Sequence, residues 1–137
     1  MKLTPYIIFN GQCEEALNFY AKTLDGEIKN LSRFEGSPAE SMSADKQKIM
    51  HANFEAGDVA FMASDSGEGG PASANGGMVH LTLDFQNAEE LDKVFNVLSE
   101  GGKITMPLQD AFWGARFGML TDKFGINWMF NAELQKN

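Results

Sequence analysis

The 137-residue sequence predicts an α+β fold of two βαβββ modules, residues 1–66 and 77–137, forming a curved mixed sheet around a cavity. Three observations carry that expectation. A strand, an amphipathic helix, a glycine and a further strand occur in that order twice. Matched positions in the two copies keep a nearly constant offset. A glycine-rich stretch separates them.

Taken in order, residues 5–10 read as a strand that ends in an Asn10-Gly11 turn. Cys13, Leu17, Tyr20 and Leu24 recur at spacings of four, three and four, which predicts a helix over 13–25. Asp25-Gly26 ends it, with the glycine expected in the left-handed C-terminal position. A short strand around Ile28 follows, and residues 49–56 and 58–64 make a strand pair about Gly57. The linker is placed at 67–76, inside a polar stretch from Ser64 to Gly77 that holds five glycines.

The same script then returns. Residues 78–85 alternate as a strand, Asn87 caps a helix over 87–100, and Glu90 stands three positions on, an asparagine form of the capping box. Leu91, Val94, Phe95 and Leu98 form its apolar stripe, Gly101-Gly102 closes it, and Ile104 opens another strand. Residues 116–121 and 126–131 pair about the turn Asp122-Lys123-Phe124-Gly125, which the Asp122 side chain is expected to organise. Leu17 aligns with Leu91 and Leu24 with Leu98 at an offset of 74; Gly26 aligns with Gly102 and Ile28 with Ile104 at 76. A half of this length is marginal alone, so the two must pack together. In the strand 78–85, Val79, Leu81, Leu83 and Phe85 belong against the helix. His80, Thr82 and Asp84 then face the cavity or solvent, and His80 corresponds to Tyr6 of the first module.

Composition narrows the function. Eleven basic residues stand against 19 acidic ones, a net charge of −8, and only two arginines, Arg33 and Arg116, are present. Nucleic acid and anionic membrane are poor partners for such a surface. No apolar run approaches the roughly 20 residues of a membrane-spanning helix. The N-terminus lacks the apolar stretch of a signal peptide, so a cytoplasmic location is expected. Cys13 is the single cysteine and falls on a helix, where it reads as core filler rather than as a nucleophile. Glu14-Glu15 and Glu89-Glu90 lie at helix N-termini and complement the helix dipole.

Six segments are similar to the PhnB-like proteins, a branch of the vicinal-oxygen-chelate superfamily that includes glyoxalase I, bleomycin-resistance proteins and extradiol dioxygenases. They are Pro5–Gly11, Glu15–Tyr20, Met50-His51-Ala52, Phe61–Asp65, Phe112-Trp113-Gly114-Ala115-Arg116-Phe117-Gly118 and Thr121–Trp128. The resemblance implies the glyoxalase/bleomycin resistance fold and a homodimer. Superfamily enzymes hold a divalent metal with four side chains from the first and last strands of each module. Those positions fall here on Tyr6, Phe61, His80 and Met129. A hard or borderline ion needs imidazole and carboxylate ligands, and of the four only His80 is one, so no metal and no cofactor are expected. Some PhnB-like sequences carry a ubiquinone-methyltransferase label, but no glycine-rich nucleotide turn joins a strand to a helix here.

The segment 112–118 is the sharpest candidate for binding, with Trp113 as a flat wall and Arg116 as a fork of donors for a carboxylate or phosphate; the competing reading is a module or dimer contact in which Arg116 pairs with an acidic neighbour and Trp113 packs a core. Both can reach one ligand only if Gly114 turns the chain. Met62, Met119 and Met129 fall in strands and suit an adaptable apolar lining or core filler equally, while residues 35–46 read as a mobile loop or lid. Three functions stay open. The first is a metal-independent small-molecule-binding protein with Tyr6, His80, Trp113 and Arg116 around its cavity and a ligand that carries an anionic group. The second is a metal-dependent or histidine-assisted enzyme, lyase-, isomerase- or dioxygenase-like. The third is a purely structural dimer.

Overall fold

A computed structural model describes residues 1–37, 40, 45–66, 78–111 and 114–134. The chain divides into two units, Met1–Ala72 and Ser73–Asn137. The first holds β1 (Tyr6–Phe9), α1 (Cys13–Leu24), β2 (Glu27–Arg33), β3 (Ile49–Ala56) and β4 (Val59–Asp65). The second holds β5 (Leu81–Phe85), α2 (Ala88–Leu98), β6 (Lys103–Asp110), β7 (Ala115–Thr121) and β8 (Asn127–Glu133). The sheets run β1-β4-β3-β2 and β5-β8-β7-β6, the same order twice. In each, the first strand lies parallel to the last and the remaining pairs are antiparallel. Two βαβββ units are therefore present, as the repeat predicts.

Each helix packs on one face of its own sheet. Cys13, Ala16, Leu17 and Tyr20 of α1 are buried against Ala52, Phe54, Phe61 and Ala63. Phe54 and Phe61 are register partners and stack at 4.9 Å, and Tyr20 meets both rings edge-on. In the second unit Leu91, Val94, Phe95 and Leu98 of α2 are buried, and Phe95 stands edge-on to Phe130 at 5.1 Å. Such aromatic pairs add about 0.5–1.5 kcal/mol each beyond the area they bury.

The helix ends refine the sequence reading. Asn87 caps α2 as expected, its side chain accepting from the Glu90 N–H at 2.7 Å. At the end of α1, however, Asp25 and not Gly26 takes the left-handed conformation, with φ 55°. Gly26 is needed for space: a Cβ there would lie 2.7 Å from the Phe54 ring and 2.9 Å from the Glu55 carbonyl oxygen. The second unit repeats this division, with Gly101 left-handed at φ 74° and Gly102 pressed against Thr121 and Asp122. Strand β5 starts at Leu81, three residues later than the alternation suggests, and Val79 and His80 precede it exposed. Strands β2 and β6 are longer than the sequence indicates, and both pair through register shifts. The linker 67–76 and most of the centre of the 35–46 loop lie outside the described residues.

Cys13 is fully buried, and burial, reinforced by the Asp65 and Glu14 charges, pushes its thiol up to about 12. At pH 8 about one molecule in ten thousand then carries a thiolate. The native protein is expected to resist a disulfide-exchange reagent such as DTNB at that pH and to react fully in guanidinium. Prompt labelling of the native protein would contradict the packing described.

Candidate functional site

Strand alternation gives each sheet a helix-free face. In the first unit, register places Tyr6 of β1 beside Met62 of β4, and Met62 beside Asn53 of β3. Ile8 and Ser64 continue the same face two residues on. His51 of β3 belongs to it too, and its ring lies 6.0 Å from that of Tyr6, tilted by 43°. Tyr6 and Ile8 are 45% and 52% exposed, which is high for large apolar groups. His51 gave no sign in the sequence of standing beside Tyr6. The signal was the pairing order, since a first strand parallel to the fourth lies one strand from the third.

In the second unit the helix-free face forms a grid. Thr82, Met129, Met119 and Met106 are successive register partners across β5, β8, β7 and β6. Asp84, Asn131, Phe117 and Gln109 form the next row. The Asn131 side-chain N–H donates to Asp84 Oδ1 at 3.1 Å. Thr121 Oγ1 donates to Asn127 Oδ1, and Asn127 Nδ2 donates to the Val79 carbonyl, which holds the approach to β5. Met62, Met119 and Met129 are all half-buried on these faces.

Arg116 requires a correction. The chain does turn at Gly114, which has φ 87° and donates to the Ala111 carbonyl. Yet Arg116 alternates onto the helix-covered face, with Gly118 and Leu120. Its Nε donates to Asp92 Oδ1 of α2 at 2.6 Å, Nη2 to Asp92 Oδ2 at 3.4 Å and Nη1 to Asp110 Oδ1 at 3.1 Å. These partners, Asp92 foremost, hold the guanidinium above its ordinary pKa. The fork of donors is thus engaged by two carboxylates rather than held out to an anion. Arg33 does the same in the first unit, donating to both Glu14 oxygens and to the Gln47 carbonyl, and so lowers the Glu14 pKa. Trp113 and Phe112 lie outside the described residues.

The four positions carried over for the superfamily metal do not converge chemically. Phe61 is 3% exposed and stacked in the helix-facing core, so it points away from the face that carries Tyr6 and Met62. Met129 offers a soft thioether and Tyr6 a phenol. Among the described residues, no group of three His, Cys, Asp or Glu side chains is placed to hold an ion. This donor set does not fit a hard or borderline divalent metal.

Two repeated βαβββ units of this topology define a protein of the glyoxalase/bleomycin resistance class. At the level of fold alone, the chain is similar to a glyoxalase/bleomycin resistance protein/dioxygenase from Nocardioides, with 22% identity, a TM-score of 0.57, and 100% of this chain and 87% of that one covered. Within the class, the chain belongs to the family described as 3-demethylubiquinone-9 3-methyltransferase, whose model matches residues 1–130. It is similar to protein PA1353 from Pseudomonas aeruginosa, with 41% identity, a TM-score of 0.88, and 98% and 99% of the two chains covered. It is also similar to the PhnB protein from Bacillus cereus, which bears the same methyltransferase description, with 33% identity, a TM-score of 0.81, and 96% and 99% covered. Protein YjdN of Escherichia coli (strain K12) is 37% identical over 146 residues, 99% of this chain and 98% of that protein. The PhnB-like resemblance read from the motifs therefore holds.

Proposed function

We propose that this PhnB-like chain is a small-molecule-binding protein that acts as a homodimer and without the superfamily's four-ligand metal. In this reading the two modules, joined by 67–76, make one domain. The single observation that carries it is the helix-free face of the first sheet, where Tyr6 and His51 stand together beside Met62 with Tyr6 45% exposed. Rings of mixed polarity over a thioether floor suit a flat ligand with one or two hydrogen-bonding groups. His80 adds an exposed imidazole at the entry to β5, and Trp113 carries over from the sequence as a candidate wall. An anionic ligand is no longer favoured, because both arginines are bound by carboxylates. The dimer follows from strand edges that need partners: β2 and β6 carry register breaks, and Pro107 lies in β6, whereas the edge strands β1 and β5 pair without a break.

The family description favours a second reading, methyl transfer. The residues joining β1 to α1 are Asn10-Gly11-Gln12 and those joining β5 to α2 are Gln86-Asn87, so neither strand-to-helix turn is glycine-rich. The sequence thus gives this reading no nucleotide-binding turn of the doubly wound type.

Native mass spectrometry of the purified protein tests the proposal in one measurement. A mass of two chains without a stoichiometric transition metal is expected. A single-chain mass at micromolar concentration overturns the dimer. Zinc, nickel, manganese or iron at one per chain overturns the metal-free reading.

A further inference from the structure

Chemistry on the helix-free face of the second sheet goes further than a generic apolar surface. Its floor is the half-buried set Met106, Met119, Met129 and Phe117, drawn from three adjacent strands by register. At one side of that floor, on β5 and β8, stand Asp84 and Asn131. The amide N–H of Asn131 is turned to Asp84 Oδ1, which fixes the orientation of both groups. That bond leaves Asp84 Oδ2 and the Asn131 carbonyl oxygen as acceptors at the corner, beside the second N–H of Asn131. Asp84 is exposed and, among the described residues, forms no ion pair with a lysine or arginine. A ligand seated on the thioether and phenyl floor is therefore met by acceptors and by one negative charge.

We propose, resting on the small-molecule reading above, that this face takes amphiphilic cations: an aryl or alkyl body on Met119, Met129 and Phe117, with an ammonium or amidinium group on Asp84 and Asn131. The body gains from methionine's adaptable, polarisable surface and from the phenyl ring. The head group donates to Asp84 Oδ2 and to the Asn131 carbonyl oxygen. The net charge of −8 works in the same direction, since it draws cations toward the molecule and repels anions.

Three probes that share a phenylethyl body separate the terms: 2-phenylethylammonium, 2-phenylethanol and 3-phenylpropionate. Each is titrated into the full-length protein at low salt and neutral pH, with affinity read by calorimetry and location by amide chemical-shift changes. The ammonium is expected to bind about tenfold more tightly than the carboxylate, the scale of a charge-assisted hydrogen bond. The alcohol should fall between them, and shifts should concentrate on β5, β7 and β8. Asp84→Asn keeps the bond from Asn131 but removes the charge, and should bring the three affinities within about twofold of one another. Met119→Ala should weaken all three alike. Equal affinities in the wild-type protein, ammonium selectivity that survives Asp84→Asn, or shifts confined to the first unit would each overturn the cation assignment while leaving the small-molecule reading standing. Binding of none of the three would overturn that reading and this one with it.

Discussion

Asp122→Ala is expected to lower stability by about 4 kcal/mol. Asp122 is 3% exposed at the turn between β7 and β8. Its Oδ1 accepts from the Phe124 and Ile126 N–H groups at 2.9 and 3.0 Å, and its Oδ2 accepts from the Trp128 indole N–H at 2.8 Å. Trp128 is itself 1% exposed, so its indole donor has no water to turn to. Removing the carboxylate strands three donors, and a buried unsatisfied donor costs roughly 1–3 kcal/mol. The estimate stays near the lower end because the turn's backbone can recover some water. Thermal unfolding should show a melting temperature lower by roughly 10–15 °C. Asp122→Asn should lie between, since its amide keeps one acceptor but sets a donor against a donor. A fall of less than about 3 °C for the alanine variant would show that the turn holds without its side chain.

Gly102→Ala should cost about 3 kcal/mol at the same corner of the second unit. A Cβ on Gly102 would collide with the Thr121 carbonyl oxygen and lie 2.9 Å from Asp122 Cα. Those atoms are backbone, at the end of β7 where Thr121 is paired on both sides and in the turn that follows, so no side chain can swing away to make room. Gly101→Ala is the informative comparison. Its strain comes from φ 74° and its nearest neighbour is the flexible Lys123 side chain, so about 1 kcal/mol is expected. Denaturant midpoints for the two variants should differ clearly; equal midpoints would mean that the close approach at Gly102 relaxes.

These two glycines show how far the sequence could be read. Their recurrence at a fixed offset from Asp25-Gly26 exposed the duplication, because local patterns of three or four residues repeat visibly. What each one does was not visible, since that depends on which strand crosses behind it. Asp25 takes the left-handed position expected of Gly26, and Gly26 yields space to Phe54. The face of β5 from Leu81 to Phe85 followed from simple alternation, while its start did not, because Val79 has no helix over it. The site was less legible than the fold. Arg116 has one partner 24 residues away on α2, and its motif carries no trace of that pairing. His51 and Tyr6, and Asp84 and Asn131, meet only through strand order. The Asp122 turn could be read in advance because Phe124, Ile126 and Trp128, which its carboxylate binds, lie within six residues.

Both sheets keep their fully buried rings on the helix side and their thioethers, with Tyr6, His51 and Phe117, on the other, so neighbouring residues on a strand answer to different pressures. Along β7 and β8, Gly118, Leu120, Trp128 and Phe130 are buried on the helix side, and the intervening Phe117, Met119, Met129 and Asn131 stand on the opposite face. Recognition can consequently diverge among descendants of one ancestor by exchanging every second residue, at little risk to foldability. A scaffold divided in this way conserves its architecture while its specificity turns over, so kinship in fold is a poor guide to the molecule each relative binds.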